Sequence, residues 1–121
     1  DNMDKIEYLK SNGVDADTAI SNMFDVETYN EMLNDYFEAL PNDFNNLVNY
    51  KNNNDMANYA IQVHAMKSNA RSFGFMKLGD IAYDHEMKSK ANDTLYVNEH
   101  FSELENEVRN VINIITNYMA M

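Results

Sequence analysis

The chain contains three histidines, His64, His85 and His100, and no cysteine. Imidazole is therefore its best neutral nucleophile, with an ordinary pKa of ~6.5 that leaves it largely unprotonated near pH 7. Only one ring nitrogen attacks, so the other must keep its proton and be oriented by an acceptor. His64 has room for such chemistry. Its helical neighbours are Ala60, Ile61, Lys67 and Ser68, with Ala65 beside it, so small side chains surround the ring and one ammonium stands a turn later. A lone histidine on a helix is more often a solvated surface residue, and the residue types alone leave both readings open. His85 falls on the apolar side of its segment and reads as a buried histidine satisfied by a hydrogen bond. A metal site made of His64, His85 and Glu86 is disfavoured, because zinc wants three or four ligands and no further partner stands at the required spacing. His100 reads as solvated, and no metal ligand set is expected.

Composition narrows the classes of function. Twenty acidic residues against nine basic ones give a net charge of −11. That excess opposes nucleic-acid binding, which needs basic residues to replace counterions along the phosphates, and opposes docking on an anionic membrane surface. No apolar run is long enough to span a bilayer. Without cysteine there is no disulfide framework and no thiolate metal site. Three glycines and one proline are too few for a many-turned sandwich or barrel, and a mostly helical single domain over residues 1–121 is expected.

The elements that must position His64 follow from apolar spacing. Residues 4–11 read as a short helical piece stopped at Gly13, and Asp15 can cap a second piece carrying Ala19, Ile20, Met23 and Phe24. From about 27 to 50 the set Tyr29, Met32, Leu33, Tyr36, Phe37, Leu40, Phe44 and Leu47 forms a helical stripe that Pro41 should kink or break. From 54 to 73 the residues Met56, Tyr59, Val63, Met66, Ala70 and Phe73 repeat in steps of three and four, a narrow seam suited to a bundle. His64, one position past Val63, is rotated about 100° off that seam. A segment near 76–90 carries Leu78, Ile81, Ala82 and His85, and one near 97–119 carries Phe101, Leu104, Val108, Val111, Ile115 and Tyr118. The expected architecture is all-α: an antiparallel up-down-up-down four-helix bundle with a short N-terminal helical extension.

The stretch from His64 to Gly74, reading His-Ala-Met-Lys-Ser-Asn-Ala-Arg-Ser-Phe-Gly, resembles the central motif of histidine-containing phosphotransfer (HPt) domains of multistep two-component phosphorelays. Met66 takes the motif's apolar place, Lys67 its lysine, and Gly74 closes it; Ser68 stands where glycine is commonest. Leu78, Ile81, Ala82 and Glu86 resemble the family's following helix, and Tyr29 to Pro41, ending in Leu40-Pro41, resembles an earlier one. His85 departs from the pattern, standing where an apolar residue is usual.

The resemblance implies that His64 is phosphorylated, that Glu86 accepts from its Nδ1–H, and that Lys67 offsets charge on the phosphoryl oxygens, with Ser68 able to add a hydroxyl. It implies a phosphoryl group taken from one receiver-domain aspartate and passed to another, without autokinase activity, since no phosphate-cradling glycine loop is present. No cofactor is expected in the chain itself, the Mg²⁺ being supplied by the partner receiver. Ala60, Ile61, Ala65, Gly74 and Phe75 are the expected docking surface for receiver domains, and the domain is expected to be monomeric. A cytoplasmic location is expected, and the absence of a starting Met favours the tail of a membrane-bound hybrid sensor histidine kinase over a free-standing domain. The competing expectation is a degenerate HPt-like bundle acting only as a protein-binding module, against which the intact His64, Lys67, Gly74 and Glu86 set argues.

Overall fold

The computed structural model describes residues 1–121, which form seven helices and no strand: α1 Asn2–Ser11, α2 Ala16–Asn22, α3 Val26–Asn52, α4 Met56–Ser72, α5 Met76–Lys90, α6 Thr94–Glu99 and α7 Phe101–Ala120. Aspartates open most of them. Asp25 accepts from the Thr28 N–H at 2.8 Å, Asp55 from Asn58 at 3.2 Å and Asp93 from Tyr96 at 3.0 Å, each satisfying an N–H that the first helical turn leaves free. Asp15 stands at the N-terminus of α2 but its side chain makes no capping bond. Gly13, Asn54 and Asn92 take positive φ just past the helices they terminate, which accounts for the asparagine clusters at those boundaries.

The four long helices α3, α4, α5 and α7 pack pairwise in a closed ring, α4 on α3 and α5, α7 on α3 and α5. Their seams meet in one core of 26 buried residues that includes Met66, Phe73, Leu104, Val111 and Ile115. Each fully buried aliphatic side chain there contributes roughly 1.5–3 kcal/mol relative to exposure, which is how a helix as polar overall as α4 is held.

Two expectations are corrected and a third, the N-terminal extension, gains detail. Pro41 does not break α3, which runs unbroken to Asn52. Pro41 is exposed while Tyr36, Leu40 and Leu47 on either side are buried, so burial on both sides offsets the one missing backbone bond. The last segment is two helices, with a junction at His100. Finally, the N-terminal helices are integral to the core. Leu9, Val14 and Ala16 are buried, and the Asp15 N–H donates to the Gly74 carbonyl at 2.9 Å. Gly74 has φ +91°, and a Cβ there would lie 2.6 Å from the Asp15 carbonyl oxygen; only glycine meets both conditions.

Candidate functional site

His64 projects from the middle of α4 with its side chain 57% exposed, whereas the side chain of Glu86, facing it from α5, is 2% exposed. The His64 Nδ1–H donates to Glu86 Oε2 at 2.5 Å, the direction being fixed because a carboxylate only accepts. In the neutral ring this leaves the Nε2 lone pair free and directed away from the carboxylate. Lys67, one turn along α4 and itself largely buried, donates to Glu86 Oε1 at 2.5 Å. Its ammonium also lies 5.6 Å from the centre of the Tyr83 ring.

A second ammonium completes the cluster. Lys90 Nζ lies 3.1 Å from Glu86 Oε2, the oxygen that receives His64. Sequence reasoning missed it, although its spacing four residues after Glu86 on one helix is an ordinary signal for such a pair. Burial opposes ionisation of Glu86, but the bonds from Lys67, His64 and Lys90 outweigh it and hold the carboxyl down at about 2. It is therefore a permanent anion at neutral pH, clamped beneath the ring.

Ala60 and Ile61 line the shallow groove that holds His64, Glu86 and Lys90. Ala60 is nearly buried and forms part of its floor, while Ile61 is 71% exposed. Ala65 and Ser68 are exposed on the same helix, Ser68 lying outside the His64–Glu86–Lys67 cluster. Gly74 and Phe75 do not belong to this surface. Both are buried at the α4–α5 turn, Gly74 against Asp15 and Phe75 stacked on Tyr36 with ring centres 6.1 Å apart. Their part is to fix the turn that sets α5 against α4, not to meet a partner.

The other histidines serve the fold. His85 is 1% exposed; its Nδ1 accepts from the Tyr59 hydroxyl at 2.8 Å and its Nε2–H donates to the His100 carbonyl at 3.2 Å. Burial pushes its pKa down, against a smaller upward pull from the His100 carbonyl, so it is a neutral structural link between α4, α5 and the α6–α7 junction. His100 is half-buried, not solvated, and stacks on Tyr96 at 4.1 Å. No group of three or more His, Asp or Glu side chains is gathered closely enough to hold a metal ion. No helix is long and apolar enough to cross a membrane.

A family model described as the Hpt domain matches residues 31–114, which is most of the chain and runs from α3 into α7. The chain belongs to the Hpt domain family. Neither a search of curated proteins nor a search of solved structures returned a match. Hpt domains are histidine phosphotransfer intermediates of phosphorelays that interact with receiver domains and carry no autokinase activity. The Hpt match contains the whole His64–Lys67–Glu86–Lys90 cluster and leaves α1 and α2 outside it.

Proposed function

We propose that His64 is the phosphoryl carrier of this Hpt domain, taking the group from the aspartyl phosphate of one receiver and giving it to the aspartate of another. The observation that carries this reading is the exposed His64 ring held through Nδ1–H by the buried carboxylate of Glu86. In the accepting step the Nε2 lone pair attacks phosphorus, the bond from phosphorus to the aspartate oxygen breaks, and the aspartate leaves as a carboxylate. Nδ1 keeps its proton throughout, so the ring becomes an N-phosphoryl imidazolium. That new positive charge forms directly against Glu86, where a fixed anion stabilises it without rearrangement. Lys67, released from Glu86 Oε1, is positioned to turn toward the phosphoryl oxygens, with Lys90 taking over at the carboxylate. Ser68 offers a hydroxyl at the edge of the same face. The return step is the reverse, with the second receiver's aspartate as nucleophile.

Other parts of the reading concern context. The chain needs no cofactor of its own, Mg²⁺ being held by the receiver. Residues 1–121 act as a single monomeric domain in which the three-residue links at 53–55 and 73–75 run α3, α4 and α5 antiparallel, with α7 completing an up-down-up-down set. The relay operates in the cytoplasm, where ATP-derived phosphoryl groups enter it, as part of a hybrid sensor histidine kinase. Ile61, Ala65 and Ser68 form the uncharged rim, with Ala60 in the groove floor beside it, against which a receiver packs. The direct test is transfer from a phosphorylated receiver domain to the purified chain. Acid-labile, base-stable label is expected on the parent chain and none on His64→Gln; undiminished label on His64→Gln would refute the assignment.

A further inference from the structure

A second groove lies between α3 and α4, on the side of α4 away from Glu86. Met32 and Phe73 give it apolar walls, and Asp35, Asp43 and Asn69 give it a polar rim. Neither aspartate forms a salt bridge with any cation of the chain. Tyr36 also lines this groove. It is 7% exposed, and its hydroxyl is a buried polar atom with no hydrogen-bond partner. Orphans of this kind are rare because each costs about 1–3 kcal/mol. Burial pushes the Asp43 carboxyl up, and burial followed by Asp43 pushes the Tyr36 hydroxyl up. Both shifts mark a desolvated site with an unanswered negative charge.

We propose that this groove receives a basic side chain, arginine foremost, from the receiver domain that docks on His64. The chemistry of the groove matches that occupant in both halves. A long basic side chain buries an aliphatic stem and keeps a charged head beyond it; here apolar walls lie beside two uncompensated carboxylates, an amide oxygen and a phenolic oxygen. Arginine fits best because its planar fork carries five donors and pairs bidentately with carboxylates.

Placement supports a docking partner rather than an unrelated ligand. Asn69 stands five residues after His64 on α4, about 7.5 Å along its axis, and Phe73 caps the end of that helix, about 13.5 Å along. A partner covering about 800 Å² of this chain, a disc of roughly 16 Å radius, would reach from one to the other. Of the exposed α4 residues in between, Ala65, Ser68 and Ser72 are small and uncharged, and the one charged residue, Arg71, is paired with Asp80 of α5. The inference rests on the relay reading for the identity of the partner and on the groove alone for its chemistry.

The test has two arms on the full chain. In the first, N-acetyl-arginine methylamide is titrated while NMR follows the Tyr36 ring and the Asn69 side-chain amide, with N-acetyl-norleucine methylamide as the uncharged control. Saturable shifts with arginine only, lost in the Asp35→Asn/Asp43→Asn double variant, are expected. Tyr36→Phe should weaken the same binding while its melting temperature stays at or above the parent's. Equal shifts with norleucine, or none with arginine, would show a groove for apolar side chains or solvent and overturn the proposal. In the second arm, a receiver domain that labels His64 in the parent is given to the double variant. Its half-saturating concentration should rise at least about fivefold, with the rate at saturation and labelling by phosphoramidate unchanged; an unaltered half-saturation would overturn the proposal. Failure of the parent to take any label would refute the relay reading instead, and the arginine arm would still decide the groove.

Discussion

Replacing Glu86 by glutamine isolates the role of its charge. The amide keeps the shape of the side chain and still offers one oxygen to the His64 Nδ1–H, now 2.5 Å from Oε2, but removes the anion that Lys67 and Lys90 share with it. In the resting state little is lost at His64, since a neutral ring bonds an amide oxygen almost as well. After phosphorylation the ring is an imidazolium, and the difference between a charge-assisted and a neutral hydrogen bond is about 1–1.5 kcal/mol. The two lysines, 14% and 58% exposed at their side chains, screen part of the carboxylate, which keeps the figure at the modest end expected for a partly solvated pair. Some 1.4 kcal/mol in the transition state is tenfold in rate. Phosphoramidate as donor reads the chemistry without any docking surface, and single-turnover labelling of His64 should therefore be slower by roughly tenfold in Glu86→Gln. Its far-ultraviolet circular dichroism should match the parent's. Labelling of the variant at the parent's rate would refute the idea that a fixed anion beneath the ring assists transfer, and would leave Glu86 with an orienting role that an amide fills equally well.

The same carboxylate links stability to acid. Its folded value of about 2 lies below the ordinary 4.5, so its contribution is complete above pH 4.5 and is lost as pH falls toward 2. The shift corresponds to roughly 3 kcal/mol at most, discounted to about 1–2 because His64 and Lys90 face solvent; urea denaturation should show the parent's advantage over Glu86→Gln growing from pH 2.5 to 5 and then level. Gly74→Ala should cost at least about 2 kcal/mol, from the positive φ and the contact with Asp15, and thermal melting will show whether it does. Ser68→Glu places an acid on the exposed face one turn from His64; transfer from a receiver should slow at least roughly tenfold and labelling by phosphoramidate, which needs no docking surface, should slow less, and equal transfer kinetics would put the docking face elsewhere.

How much of this was legible in the sequence depends on the range of the interaction concerned. The seam through Met56, Tyr59, Val63, Met66, Ala70 and Phe73, all buried, is a local periodicity, and so is the placement of His64 just off it. Lys67 and Ser68 follow from His64 by helical spacing alone. Glu86 was reachable only through the resemblance to a family, because no local rule says which acid of α5 crosses to α4. Lys90 then followed from Glu86 by the same i, i+4 rule and was overlooked. Gly74 and Phe75 were misjudged for a different reason. Each lies beside the motif in sequence, yet what buries them is distant along the chain: the Asp15 backbone against Gly74 and the Tyr36 ring against Phe75. Pro41 does not break α3 because the packing of α3 on α4 and α7 overrides a local penalty of about 3 kcal/mol. The consequence bears on function. The turn that sets α5 against α4, and so Glu86 beneath His64, is locked by residues 14–16 and by α3. The segment before α3, outside the Hpt match, thus braces the turn that brings Glu86 against His64 without touching either side chain.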